Sequence, residues 1–337
     1  MDHFDLWKKG ELRGANAFPR HTVDDLRTLR SWGANLASFG VKSVVDDEPP
    51  FAVHEEAMKE IEGAVARARE AGLFATINFR SAPGREDFNR DLRQFQDLEY
   101  HDGFVKMWQE TARRLKGNDI VAGYDLMCEP HPEDVLGEVP REERPAKMKG
   151  TPADWNLLAK RATEAIREVD ADTPIIVNLG GWAYPYTFAY LELTGDARTV
   201  YSVHYYSPRL YTHQKPDKPV PYPGVVGAHV EPEQHWSLEV MVETLRSVRD
   251  FQVKHKVPIF AGEFGCARYA PGVEQFLRDQ IGTYEDWGWS WAYWDLRGWE
   301  VMDIEMTADA SDKTRYPDAP LLRLFKDYFA KCKVWPG

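Results

Sequence analysis

Apolar positions along this chain alternate between two rhythms, a short dense run and then a helical spacing, and the alternation repeats eight times. Leu12 to Phe18 predicts a first strand; Thr22 and Asp25 then form a capping box before Leu26 and Leu29, in a helix that closes at Gly33. Ala34 to Val41 is the second strand, and Met58, Ile61, Val65 and Ala68 mark the helix that follows it to Gly72. Leu73 to Phe79 is the third strand, and Phe104, Trp108, Thr111 and Leu115 define the next helical face. The fourth run, Ile120 to Glu129, ends at Pro130, which has no N–H for a sheet ladder and so marks the strand's exit.

The second half keeps the pattern. Trp155, Leu158, Ala162, Ala165 and Val169 precede a strand from Pro174 to Leu179, and a short helix around Tyr186 to Leu193 precedes the strand Thr199 to His204. Leu238, Met241, Leu245 and Val248 lead to Pro258 to Glu263; Val273, Phe276, Ile281 and Tyr284 lead to Trp289 to Trp294. Leu321, Leu324, Phe325 and Tyr328 predict a closing helix. Eight strand-helix units, with strands apolar enough to be buried on both faces, predict an α/β fold. We expect a single-domain (β/α)8 TIM barrel over residues 1–337. No glycine-rich phosphate loop follows the first strand, which counts against an open nucleotide-binding sheet. The irregular stretches near 131–152 and 207–236 each follow a strand and read as long βα loops walling one face.

Composition narrows the chemistry. The formal charge of −12 disfavours a nucleic-acid or anionic-membrane partner, and 12 tryptophans exceed what a core of this size needs. Surplus aromatic rings point to a cleft that stacks sugars, and we expect a neutral ligand and a monomer. Cys128, Cys266 and Cys332 make neither a disulfide framework nor a zinc spacing; a thiol-metal site with His204 is weighed and set aside, so no metal or other cofactor is expected. The start of the chain lacks the basic and apolar regions of a signal peptide, which leaves the location open: a mature form whose leader was removed, or cytoplasmic if Met1 is the native start.

In a barrel all strand C-termini share one rim, which would bring Glu129 and Glu263 together although they are far apart along the chain. Two glutamates at two strand mouths are what acid/base and nucleophilic chemistry on a glycosidic bond requires. The rim also receives Arg80, His204, Tyr206 and Trp294, with Trp182, Tyr184, Trp236 and Trp299 as candidate sugar platforms. Asn16, Asn78 and Asn178 are either polar rim groups or buried turn formers.

The ordered set Cys128-Glu129-Pro130, His204-Tyr205-Tyr206, Gly262-Glu263-Phe264-Gly265 and Tyr293-Trp294 resembles glycoside hydrolase family 5, the cellulase family of the retaining (β/α)8-barrel glycosidase clan, across essentially the whole chain. The resemblance implies that Glu129 is the acid/base and Glu263 the nucleophile, with carboxyls roughly 5 Å apart. It implies supporting roles for His204, Tyr206, Arg80 and Cys128, and sugar contacts from Trp294, Trp182, Trp236, Trp299 and Asn16. The implied activity is double-displacement hydrolysis of a β-linked oligosaccharide or polysaccharide by an endo-β-1,4-glucanase. The alternatives are a β-mannanase, another β-glycanase of the family, or a catalytically impaired carbohydrate-binding protein.

Three departures from the family pattern stand out. Cys128 replaces an Asn, Ser38 an Arg on the second strand, and Arg80 a His after the third. We expect that the cation has moved, so that Arg80 reaches the carboxylate that the strand-two Arg would hold.

Overall fold

The computed structural model describes residues 2–86 and 91–337. Eight parallel strands close into a ring: β1 (Arg13–Ala17), β2 (Leu36–Val41), β3 (Phe74–Phe79), β4 (Val121–Asp125), β5 (Ile175–Asn178), β6 (Thr199–Tyr205), β7 (Ile259–Phe264) and β8 (Ser290–Tyr293). Each pairs with its neighbour in sequence, and β8 pairs with β1 to complete the barrel. The longer helices are α1 (His3–Lys8), α2 (Val23–Ser31), α3 (Glu55–Ala71), α4 (Leu98–Leu115), α5 (Trp155–Arg167), α6 (Leu238–His255), α7 (Val273–Asp286) and α8 (Pro320–Phe329). The Thr22/Asp25 capping box opens α2 as expected, with both reciprocal hydrogen bonds formed.

One predicted helix differs. Between β5 and β6 the chain forms a 3₁₀ segment, Pro185–Tyr190, instead of an α-helix to Leu193. Pro185 starts the segment, Leu191 is already extended, and Asn156 Oδ1 takes the Glu192 N–H at 3.0 Å, so no α-helix continues to Leu193. Phe188 still packs edge-on against Phe251 of α6, with ring centres 5.3 Å apart, so the outer layer remains closed.

Polarity inside the ring changes with height, and this positions the site. The floor takes one apolar side chain from each strand or its first step: Leu12, Leu36, Phe74, Ala122, Ile176, Val200, Phe260 and Ala292. From below, α1 plugs it with Trp7, whose ring meets Phe260 edge-on at 5.0 Å and whose Nε1 donates to the Ala122 carbonyl at 2.8 Å. Two residues further up, strand alternation returns to the interior with Ser38, Thr76 and Ser202, and then with Asn78, Asn178 and His204, all buried. An apolar floor thus lies under a buried polar layer, in which Asn178 donates to Asp125 at 2.5 Å and His204 meets Glu129 at 2.9 Å. Among the described residues no helix is long and apolar enough to cross a membrane.

Candidate active site

β4 ends at Asp125, earlier than the strand expected to run to Glu129, but the extended path continues as a rim segment bonded to both neighbours. The Leu126 N–H donates to the Ile176 carbonyl at 2.9 Å and the Cys128 N–H to the Phe79 carbonyl at 2.8 Å. The next residue, Glu129, turns into the left-handed region at φ 47°, a costly backbone for a residue with a Cβ. Arg85, almost fully buried, clamps this turn: its guanidinium donates to the carbonyls of Arg80 at 2.7 Å and Cys128 at 2.8 Å. Thus the ends of β3 and β4 are tied together under Glu129.

A register shift between Ala261 and Glu263 places Glu263 of β7 beside His204 of β6. Bulges of this kind re-aim a side chain at the rim of a barrel. Gly262 is required in the shift, because a Cβ there would lie 2.6 Å from Ser202 Oγ and 3.2 Å from His204 Nε2. The amide nitrogen of Asn16 fixes the same backbone, donating to the carbonyls of Gly262 at 2.8 Å and of Ala292 and Tyr293 at 3.3 Å.

The two glutamates meet at one imidazole nitrogen. His204 Nδ1 lies 2.9 Å from Glu129 Oε1 and 3.7 Å from Glu263 Oε2, so those oxygens can be no farther apart than the two distances together. That limit admits the ~5 Å spacing of retaining chemistry and reaches only the lower edge of the ~6.5–9.5 Å that inversion uses. Glu263 also accepts from Arg80 Nη1 at 2.9 Å and Cys128 Sγ at 3.4 Å on one oxygen, and from Tyr206 OH at 3.1 Å on the other. Arg80 points into the barrel and grips Glu263, while Ser38 is a buried strand residue.

Electrostatics follow from burial. Burial opposes charge on the His204 ring, but Glu263, Glu129 and Asp125 outweigh it and raise its pKa. Burial drives the Tyr206 hydroxyl far above its ordinary value, and the two glutamates add to this, so it stays a proton donor toward Glu263. Beneath the site, burial pushes the Asp125 carboxyl up to about 7, against the opposing effects of Asn78, His204 and Asn178. A carboxyl whose pKa is higher folded than unfolded contributes stability that is complete below the unfolded value and is lost as pH rises through the folded one. The Asp125→Asn variant lacks that loss. Urea unfolding at pH 4 and pH 8 is expected to show it gaining on the wild-type chain by a few kcal/mol at most as pH rises; a constant difference would refute the assignment.

These residues open into a cleft of about 700 Å³, also lined by Phe18, Trp182, Tyr184, Arg209, Asp295 and Trp299. Trp294 stands on its wall between the edge of Phe18, with ring centres 5.7 Å apart, and the Arg80 guanidinium, 4.6 Å from the ring centre. Trp182 stacks face to face on His131 at 3.9 Å, and Trp299 is partly exposed beside His213.

Two expectations need correction. Trp236 is fully buried, in the ribbon pairing Gly224–Val226 with Gln234–Trp236, and belongs to the core, so no sugar can stack on it. Asn16 holds backbone carbonyls inside the ring and does not line the cleft. Residues that sequence reasoning missed include Asp295, which lines the cleft next to Trp294, and Arg85. Asp295 has its pKa raised by burial to about 6 and accepts the Trp299 N–H at 2.9 Å. The Pro83-Gly84 turn before Arg85 was a readable hairpin signal, although it does not say what the arginine reaches.

A closed parallel barrel that brings two glutamates together from the ends of β4 and β7 has the arrangement of a barrel glycoside hydrolase. The chain belongs to glycosyl hydrolase family 5: the Cellulase profile of that family matches residues 7–299. It is similar to Endoglucanase C of Acetivibrio thermocellus, at 22% identity over 85% of each chain. Solved structures share the fold. A hyperthermophilic endo-β-1,4-glucanase in complex with substrate superposes with a TM-score of 0.74 at 20% identity, covering 97% of this chain and 100% of that one. Thermotoga maritima Cel5A in complex with mannotriose does so with a TM-score of 0.72 at 20% identity, covering 96% and 100%.

Proposed function

We propose that this glycoside hydrolase is an endo-β-1,4-glucanase that retains configuration, with Glu263 as nucleophile and Glu129 as acid/base. The observation that carries the reading is the single His204 nitrogen in contact with both carboxylates, while Glu263 alone collects three further donors. A guanidinium, a phenol and a thiol donating to this oxygen pair fix its orientation for attack on carbon. Among the described residues the Glu129 carboxyl has His204 as its hydrogen-bond partner, and it faces the cleft, placed to serve the oxygen between two sugars.

In the first step Glu129 gives its proton to the glycosidic oxygen, the bond from that oxygen to the anomeric carbon breaks, and Glu263 bonds to the carbon from the opposite face. In the second, Glu129 takes a proton from water as the water oxygen replaces Glu263, and configuration is restored. Endoglucanase relatives support a β-1,4-glucan as the substrate. Arg80 on Glu263 argues against an impaired binding protein, since the nucleophile keeps a cationic partner despite Ser38.

The test is reducing-sugar release from barley β-glucan, carboxymethyl cellulose, mannan and xylan, with the product anomer read by NMR before mutarotation. Fastest release from a β-1,4-glucan, with a rapid fall in viscosity and a β-configured product, is expected. An α-configured first product would remove the mechanism, and no release from any glucan would remove the function.

The tryptophans separate by location. Trp299→Ala is expected to raise KM several-fold with little change in stability, because its partly exposed ring flanks the cleft. Trp236→Ala should instead cost ~3–5 kcal/mol of stability, as truncation of a buried aromatic does, and leave the KM of the folded fraction close to wild type. Denaturant curves and steady-state kinetics on both variants check this; the reverse assignment of effects would place Trp236 on the substrate after all.

A further inference from the structure

Three potential metal ligands, one of them Glu263 itself, converge beside Glu129, each delivered by a different barrel strand or its rim extension. A donor atom from each of Cys128, His204 and Glu263 lies within 4.8 Å of the other two. Cys128 Sγ is 3.4 Å from Glu263 Oε1, and His204 Nδ1 is 3.7 Å from the other oxygen of the same carboxylate, Oε2. Tetrahedral zinc, with bonds of ~2.0–2.1 Å to nitrogen and oxygen and ~2.3 Å to sulfur, sets its ligands ~3.3–3.8 Å apart. The remaining pair, Cys128 and His204, lies within the same 4.8 Å. Glu129 Oε1, 2.9 Å from the same His204 nitrogen, stands ready as a fourth ligand.

We propose that this cluster is a binding site for a thiophilic divalent cation, Zn²⁺ foremost, and that occupancy shuts the active site by taking the lone pairs of Glu263 and blocking the sugar. A thiolate, an imidazole and carboxylates suit Zn²⁺ and its softer analogue Cd²⁺ and not Mg²⁺ or Ca²⁺, which take oxygen ligands. Charge also fits. As the metal binds, the Cys128 thiol and the Glu129 carboxyl release their protons to solvent and His204 binds as the neutral imidazole; among the described side chains in contact, thiolate, Glu129 and Glu263 then carry three negative charges against the one positive charge of Arg80. A divalent ion brings this buried group to neutrality, the condition under which charge is tolerated away from water. Among the described residues neither Cys266 nor Cys332 belongs to such a group, which confines the site to Cys128.

The test uses the full chain in chelator-free buffer and two readouts. Titration with Cd²⁺ is followed by the ultraviolet charge-transfer absorption of the cadmium–thiolate bond, which needs no turnover and so stands apart from the proposed hydrolysis. One equivalent is expected to saturate it, and Cys128→Ser should lack it. Zn²⁺ inhibition is then compared between the two proteins, each against its own metal-free rate. Loss of even an outer-shell partner costs a metal site ~10–100-fold, so half-inhibition of Cys128→Ser should need at least ~10-fold more Zn²⁺. Cys128→Ala, read by the same absorption, covers a serine variant that fails to fold. Absence of the band, its survival in both variants, or equal Zn²⁺ sensitivity of wild type and variant overturns the proposal.

Discussion

Glu263→Ala is expected to lower kcat on soluble β-glucan by at least ~10³-fold, with the folded barrel intact. The scale follows from the proposed role, since without this carboxylate no covalent intermediate can form and the stepwise route closes. The substitution also leaves a gap whose walls are unchanged: Arg80 Nη1, Tyr206 OH and Cys128 Sγ, all of which had donated to Glu263. A small anion such as azide fits beside those donors. With an activated aryl β-glucoside or cellobioside, azide should restore turnover and give a glycosyl azide of inverted configuration, because the anion attacks from the face that Glu263 occupied and no second displacement follows. Wild-type product keeps the β configuration. Full activity in Glu263→Ala, or an azide product of unchanged configuration, would show that the nucleophile lies elsewhere.

Most of this arrangement was legible along the chain, and the reasons for the exceptions are physical. Alternating strand and helix periods announced the ring, and a ring once closed delivers Glu129, His204, Glu263 and Trp294 to one rim whatever their separation along the chain. Arg80 was readable for a related reason: a missing cation at Ser38 left a demand that the neighbouring strand could meet, and its guanidinium does so. Trp236 was not readable, because a tryptophan in a loop after β6 looks the same whether the loop folds back as a ribbon or faces the cleft. Arg85 and Asn16 escaped for another reason. Both act on backbone carbonyls that become neighbours only when strands adjoin, and side-chain chemistry alone carries no trace of those partners. The helix predicted to end at Leu193 failed locally, where Asn156 of α5 captures the Glu192 amide. Periodicity thus reports which faces are buried, and not which long-range hydrogen bonds replace a helical one.

Glu129→Gln should separate the two halves of the reaction. Glutamine keeps the shape and an acceptor for His204 Nδ1, which sits 2.9 Å from the native Oε1, but it neither gives nor takes the proton. On polysaccharide, where the departing sugar oxygen is a poor leaving group, kcat/KM is expected to fall ~10²–10⁴-fold, the usual contribution of a positioned acid/base. On an aryl glycoside with an acidic phenol, the first step needs little protonation, so kcat/KM should fall far less. Water must still attack the glycosyl-enzyme without a base, so the intermediate accumulates; a burst of phenol followed by a slow steady state, with a lowered apparent KM, is the expected signature. Intact-protein mass spectrometry during that slow phase should find a sugar adduct on the peptide bearing Glu263. Equal losses on polysaccharide and activated substrate, with no burst and no adduct, would assign Glu129 to holding His204 in place, and the proton to another group in the cleft.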